Sequence, residues 1–584
     1  MNPEPLIPYQ AFLRNIIERA RWKSSFTADL SVFAAALGIL YAVFLAGRDW
    51  FAPFTPVAHI SSNPRMLPLY AAYSLVRVAL AYILALLFAL AYGYAAAKSD
   101  RAARVLLPLL DILQSIPVLS FLPGVMVAMV ALFPGRQVGL ELGSVLLIFT
   151  GQAWNIAFSF YASLMAIPKE LDEASRLYRF NPWQRFVELE LPYATIGLVW
   201  NSMMSVAGGW FFLMACEMFV LGTRDFRLPG LGSYLQIAAG SGDVSGILWG
   251  LTAMVTVIVL LDQVIWRPVI AWADKFKFES VEGAAPQSFV LTILRRSGAV
   301  ASIYRRTIGP LGERLKMVFV PKAAEIKPPS AGSEAGRKWL SFAMGAAVLA
   351  ALAWFTFRAV LTLGHLTRHD ILVLARDAGL TFARVNGSLL LGALWSVPVG
   401  VWIGTSPRVA RIAQPLVQIA ASVPATALFP VLLLMLIRVG GGMGVAAMAL
   451  MLLGTQWYIL FNVIAGAMAI PTDLKEVTNV FHFGRWERWR RMILPAIFPH
   501  LVTGMVTASG GAWNASIVAE YFYFRGETLS VRGLGATISR ATDSGNLPLL
   551  LGATVIMSLI VVTMNRALWQ RLYQLAATRF KLET

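Results

Sequence analysis

Few side chains in this chain of 584 residues are placed to do chemistry. Five histidines are scattered without metal-ligand spacing, the single cysteine, Cys216, excludes an internal disulfide, and no Gly-Lys-Ser/Thr phosphate loop is present to hold ATP. No catalytic residue, metal or cofactor is expected. The remaining candidates are of two kinds. Isolated polar residues interrupt apolar runs: Asp111, Gln114 and Ser115 before Pro117, Gln418 and Ser422 before Pro424, the arginines Arg77 and Arg384, and the carboxylates Glu217 and Glu520. A dense charged stretch, KELDEASRLYRFNPWQRFVELELP at 169–192, with nine charged residues among twenty-four, is written a second time as TDLKEVTNVFHFGRWERWRRMILP at 472–495.

A carboxylate inside an apolar run is costly and usually functional, which makes Glu217 and Glu520 candidates for a pore or gate, or solvated residues at an interface. Arg77 and Arg384 are expected to reach an interface or to accept a buried partner. Pro117 and Pro123, echoed by Pro424 and Pro430, interrupt the third and ninth runs. A proline removes a backbone donor and crowds the preceding turn, so the freed carbonyls need protein or water partners. With Asp111, Gln114, Ser115, Gln418 and Ser422 nearby, the breaks are expected either to line a translocation path or to serve as packing kinks.

The charged stretches read as short helices. Pro168 and Pro471 stand where a helix can begin, and Glu170, Asp172 and Glu173 suit its first turn. Leu171, Ala174, Leu177 and Tyr178 recur at helical spacing, giving an apolar stripe. Lipid headgroups favour a basic polar face, whereas this start is acidic, so a protein surface is the expected partner. Pro192 and Pro495, each after a leucine, then stand where a long apolar helix starts.

The elements around these residues are those of an integral membrane protein. Hydrophobic residues make up 58% of the chain and charged ones 14%, above the roughly 45–50% apolar content of a soluble protein. Apolar runs centre near 31–47, 71–97, 107–133, 139–166, 193–220 and 246–266, then near 339–362, 379–404, 411–437, 443–469, 496–520 and 547–565. About twelve all-α spans are expected. The first follows Arg14, Arg19, Arg21 and Lys23 with no cleavage pattern after it, and is expected to stay as a span. The net charge of +18 reflects basic short loops, such as Lys98, Arg101 and Arg104 or Arg408 and Arg411, and sets membrane orientation rather than nucleic-acid binding. Both termini and both charged loops then face the cytoplasm of a multi-pass plasma-membrane protein.

The two halves are copies. With a shift of 307, Arg77 meets Arg384, Gly93 meets Gly400, Pro108 meets Pro415, Pro117 meets Pro424 and Pro123 meets Pro430. After a four-residue gap the shift is 303, and Trp154 meets Trp457, Glu173 meets Glu476, Trp183 meets Trp486, Pro192 meets Pro495 and Glu217 meets Glu520. The GLG at 230–232 likewise meets the GLG at 533–535. An even number of spans per copy makes them parallel repeats with a pathway between them. The expected organisation is a first half at 1–271 with its core about 70–266, a basic linker at 272–338, and a second half at 339–584 with its core about 378–566. The linker, with RRSGAVASIYRR and KPPSAGSEAGRK, is expected to be a solvated tether or to carry one basic amphipathic helix near 290–318.

At the charged loops the chain resembles the permease subunits of ATP-binding-cassette importers, whose signature runs Glu-Ala-Ala, three residues, Gly, and later Leu-Pro. EASRLYR at 173–179 with Leu191-Pro192, and EVTNVFH at 476–482 with Leu494-Pro495, carry the pattern. The spacing to Trp183 and Trp486, IPVLSFLP at 116–123, VPATALFP at 423–430 and the GLG loops look most like the branch importing nitrate, taurine and alkyl sulfonates. Both halves are covered, apart from the first and seventh spans and the linker. Two departures stand out. Arg179 and His482 replace the family glycine, so the turn after the short helix is where geometry can differ, and Ala174-Ser175 and Val477-Thr478 replace the paired alanines.

The resemblance implies a type I importer permease fold with two bundles fused in one chain. It implies coupling loops, at Glu173, Ala174, Arg179, Trp183, Leu191 and Pro192 and at Glu476, Val477, His482, Trp486, Leu494 and Pro495, seated on two separate ATPase subunits or domains. It further implies an extracytoplasmic solute-binding protein meeting outer loops at Gly230, Gly232, Gly533 and Gly535. A gradient-driven six-plus-six transporter is the alternative, with Asp111 as its best coupling residue; a sensor or scaffold is a third class.

Overall fold

The computed structural model describes residues 26–50, 60–221, 224–276, 288–308, 356–439, 442–524 and 527–579, with a few isolated positions between 310 and 354. The seventh expected span and most of the linker lie largely outside the described residues.

The first copy runs α1 Phe26–Trp50, α2 Leu67–Lys98, α3 Asp100–Ser115, α4 Leu122–Leu132, α5 Val138–Met165, α6 Lys169–Leu177, α7 Pro182–Glu217, a hairpin β1 Val220–Leu221 and β2 Arg224–Asp225, α8 Leu231–Ser241 and α9 Val244–Phe276. Two short helices follow, α10 Phe289–Arg296 and α11 Gly298–Ile303. The second copy repeats the order: α12 Arg368–Thr405, α13 Pro407–Ser422, α14 Ala425–Val439, α15 Met443–Met468, α16 Thr472–Val480, α17 Arg485–Ala519, β3 Tyr521–Phe524, β4 Glu527–Ser530, α18 Leu534–Asp543 and α19 Leu547–Ala576. Two short antiparallel hairpins therefore join an otherwise helical chain. The sequence reading missed both, since strands of two to four residues leave no periodic signal.

Eight described helices are long and apolar enough to cross a membrane: α2, α5, α7 and α9, and α12, α15, α17 and α19. About twelve were expected. The difference lies partly at the prolines. Ile116 and Pro117 are extended, with φ/ψ of −76/124° and −62/114°, and a 3₁₀ turn at Val118–Ser120 separates α3 from α4. Val423, at −78/120°, parts α13 from α14 in the same way. The residue before a proline is pushed out of the helical region, so each third run becomes two shorter helices.

Prolines also shape the entries to α7 and α17. Pro192 cannot donate to the carbonyl four residues back, and the helix widens before it into a π turn at Phe186–Glu190, closed by the Leu191 N–H on the Phe186 carbonyl. The π turn Trp489–Ile493 precedes Pro495 in the same way. Both long helices therefore start earlier than expected. Pro182 lies in the first turn of α7, and the Asn181 side chain accepts from the Gln184 N–H at 2.7 Å while Gln184 accepts from the Asn181 N–H at 3.0 Å.

The described residues pack as two compact units. One gathers α1, α6, α10, α11 and the adjoining parts of α5, α7 and α9; the other holds the rest, including the whole second copy. In the second unit, α12 lies along α15, and α15 along α17. Small residues allow the approach: a Cβ on Gly400 would stand 2.8 Å from Val463, and one on Gly404 2.7 Å from Ala467. The two copies also reach across one another, with α8 packed on β3 and α18 on β1.

Candidate functional site

Two groups of residues emerge from this scaffold. The first is a buried charge cluster that occurs in both copies. Glu217 ends α7 fully buried, and its Oε1 accepts from Ser74 Oγ and from Arg77 Nη1, both at 2.7 Å. Its Oε2 accepts from the Gly232 N–H, also at 2.7 Å, in the first turn of α8. Arg77 spends its remaining edge on Glu141, Nε to Oε2 at 2.6 Å and Nη2 to Oε1 at 2.8 Å, and a further Nη1 bond reaches the Pro229 carbonyl. The cluster is a guanidinium held between two carboxylates, one of which caps a helix. An anion at a helix start is favoured by the peptide dipoles, and a buried charge needs such complete pairing.

In the second copy Glu520 accepts from Thr381 Oγ1 at 2.8 Å, from Arg384 Nη1 at 2.7 Å and from the Gly535 N–H at 2.9 Å. A second buried carboxylate, Asp377, accepts from Thr537 at 2.7 Å and pairs with Arg376 at 3.1 Å. The carboxylates are therefore not solvated residues at an interface, and the arginines do have the buried partners that were one of two expectations. Gly230, Gly232, Gly533 and Gly535 are buried, so the glycines are not themselves a displayed surface. A Cβ on Gly230 would fall 2.2 Å from the Glu217 carboxyl carbon, and one on Gly533 2.2 Å from Glu520 Oε2. At the last residue of α18, Asp543 accepts from the Tyr521 hydroxyl on β3, and burial together with that carboxylate pushes the phenol up to about 12.

The second group is the pair of charged loops. Helices α6 and α16 begin directly after Pro168 and Pro471. Each ends in a turn whose last residue is left-handed: Arg179 has φ 51° and His482 φ 49°, the only such non-glycine residues among those described. The Phe180 N–H reaches back to the Ser175 carbonyl and the Phe483 N–H to that of Thr478, both at 3.0 Å. This is the helix ending that a glycine normally provides. The turn is thus retained where the glycine is not.

Glu173, Arg179, Glu476, Val477, His482, Trp486 and Leu494 are exposed, while Ala174, Trp183, Leu191, Pro192 and Pro495 are half-buried. Trp183 stacks on Phe186 with ring centres 5.9 Å apart. The apolar side chains at the helix ends are open to solvent, with Leu177 83% and Tyr178 74% exposed in the first loop and Val480 73% and Phe481 70% in the second. The first loop is also tied internally. Arg185 on α7 pairs with Asp172 on α6 and with Glu190 at 2.7 Å. Lys475 and Ile493 stand at the positions of Asp172 and Glu190 in the second loop, so the two acidic residues of this bridge are not repeated there.

Among the remaining candidates, Pro117 and Pro424 are buried at the breaks, and Gln114 and Gln418 are half-buried. The side chains of Asp111, Ser115 and Ser422 lie outside the described residues. The Leu119 N–H donates to Asn514 Oδ1 on α17 at 3.4 Å, bringing the break of the first copy against the second.

Comparison with known proteins agrees with this duplicated plan. A 182-residue stretch is 28% identical to the nitrate import permease protein NrtB of Leptolyngbya laminosa, covering 31% of this chain and 62% of that protein. A 140-residue stretch is 28% identical to the bicarbonate transport system permease protein CmpB of Synechocystis, covering 24% and 49%. A 165-residue stretch is 29% identical to the putative aliphatic sulfonates transport permease protein SsuC of Bacillus subtilis, covering 28% and 55%. The matched stretches thus span about half to three-fifths of these relatives. The family description that covers most of this chain matches twice, over residues 69–265 and 396–576. The chain belongs to the binding-protein-dependent transport system inner membrane components, with two copies of the family's domain in one polypeptide.

Proposed function

We propose that the chain is the translocation subunit of an ATP-driven importer for a small anion of the nitrate, bicarbonate or sulfonate kind, with α6 and α16 as its cytoplasmic levers. The observation that carries this reading is the duplicated short helix with solvent-exposed apolar ends. Leu177 and Tyr178, and Val480 and Phe481, leave more than two-thirds of each side chain in water, and exposed apolar groups rimmed by charge suit a protein partner. That partner is an ATPase subunit or domain for each lever. The chain has no phosphate loop of its own, which fits a division of labour between subunits.

In this reading both termini face the cytoplasm, and α8 and α18 lie at the outer side, where a solute-binding protein docks against neighbouring exposed residues. Residues at 1–271 and 339–584 form the two halves of the permease, joined by a cytoplasmic linker at 272–338. ATP-driven closure of the ATPase pair moves α6, and the Arg185 bridge from Asp172 to Glu190 passes that movement into α7. The breaks at Pro117 and Pro424, with Asp111, Gln114, Ser115, Gln418 and Ser422, line the path. Alternating access follows from one half rocking against the other.

Gentle purification from the native membrane, with identification of co-purifying chains, tests this directly. An ATPase subunit is expected with the native chain and is expected to be lost from the Glu173→Arg, Glu476→Arg double variant while its elution and helicity stay native. Absence of any ATPase under mild conditions would sink the importer reading in favour of gradient-driven transport.

A further inference from the structure

The two buried clusters share a plan but are completed differently. In the first copy Arg77 uses its whole fork, with Nη1 on Glu217 and the Nε and Nη2 edge on the two oxygens of Glu141. In the second copy Nη1 of Arg384 meets Glu520 at the same 2.7 Å, but Nε and Nη2 have no partner among the described residues. The repeat register puts Gly444 at the position of Glu141. A Cβ on Gly444 would meet nothing within 4 Å.

Gly444 is also level with Arg384. Helices α12 and α15 run alongside in the same direction, with Gly387 against Met448 and Gly404 against Ala467, which sets Gly444, one turn before Met448, at about the height of Arg384. The first turn of α15 carries no acidic residue and its Gly442 cap supplies no side-chain bond, whereas the first turn of α5 carries Glu141. The Arg384 side chain keeps 13% of its surface exposed, against 1% for Arg77. Asp377, two turns before Arg384 on this helix, is engaged by Thr537, Arg376 and Arg540 rather than by Arg384, and Asp370 caps the helix start with Thr367.

We propose that the Nε and Nη2 edge of Arg384, with the open ground beside Gly444, seats a small monovalent oxyanion, of the carboxylate, bicarbonate, nitrate or sulfonate class, where the first copy supplies Glu141 from its own chain. The guanidinium edge offers two parallel N–H donors that match two oxygens of such an anion. Glu141 on Arg77 displays that geometry within the same fold. It also shows that the scaffold holds one guanidinium between two negative groups, so a guest beside Arg384 and Glu520 reproduces an arrangement already present in the first copy. Glu520 limits how tightly the guest is held, which suits a site that must release it. That the seat lies on a transport route rests on the importer reading; the seat itself does not.

The test is calorimetric titration of the full chain in phosphatidylcholine nanodiscs with sodium nitrate, sodium bicarbonate or sodium methanesulfonate, chloride holding the ionic strength constant. At least one anion is expected to give a saturable single-site isotherm. Gly444→Glu is expected to abolish it, because the new carboxylate occupies the fork. Arg384→Lys is expected to weaken it by about tenfold or more, since lysine can still pair with Glu520 but presents no fork. If Gly444→Glu does not elute as a folded chain, Arg384→Lys decides alone. No saturable heat with any of the three anions, or native affinity in the variants, overturns the proposal. So does binding that vanishes when phosphatidylglycerol replaces a third of the lipid, which marks the seat as a headgroup's. The titration contains neither ATPase nor ATP, so its outcome is independent of whether an ATPase co-purifies.

Discussion

Glu217 and Glu520 each fasten a long helix to the start of a short one, and close approach to these carboxylates, or for Gly535 to the Ser516 backbone of α17, explains why the glycines of both GLG stretches recur. Removing one partner of a buried ion pair typically costs about 3–5 kcal/mol, and Glu217→Ala is expected to cost that much in thermal unfolding of the purified chain. A change near zero would mean the cluster carries no stability. Gly230→Ala is expected to be comparably damaging, since its Cβ would stand inside the carboxylate. Arg77→Ala should destabilise more than Arg384→Ala, because it orphans two buried carboxylates and the latter one. The sequence displayed the repeat of Arg77, Glu217 and GLG as three separate pairs, yet their meeting was not legible, because residues 140 positions apart leave no local signal. The rule that a charge in an apolar run needs its opposite could have joined them.

The short helices α6 and α16 end in left-handed turns at residues with side chains, a conformation that costs an L-residue roughly 1 kcal/mol or more. Arg179→Gly and His482→Gly are each expected to stabilise the chain by about 1 kcal/mol, read as a raised midpoint of thermal unfolding. A lowered midpoint would show that the side chains, rather than the backbone, decide the turn. At this scale the sequence was largely legible. Pro168, Pro471, Pro117 and Pro424 sit where the helices start or break, because proline acts on its own backbone and needs no tertiary context. The π turns before Pro192 and Pro495 were not legible, since a widened turn depends on the long helix continuing through the proline. The hairpins at 220–225 and 521–530 were hidden for the opposite reason: they are too short for any period.

Across the whole molecule, duplication was the most legible feature and the solute the least. Rare residues repeated at two shifts show the copies without any structure, whereas a break in the repeat, such as Glu141 against Gly444, bears on the proposed anion seat only through what surrounds it. A difference between copies gains meaning only when its surroundings are known to be alike. The crossed packing of α8 on β3 and of α18 on β1 carries one more consequence. Each copy completes the other, so neither is expected to be a stable fragment, and the covalent connection serves to raise the effective concentration of one for the other. A chain divided within 309–338 is therefore expected to yield two pieces that aggregate when made singly and co-elute as one complex when made together. Independent, soluble pieces in the same detergent would show that the crossed contacts hold nothing, while reassembly would make this polypeptide a tethered heterodimer of two unequal permeases.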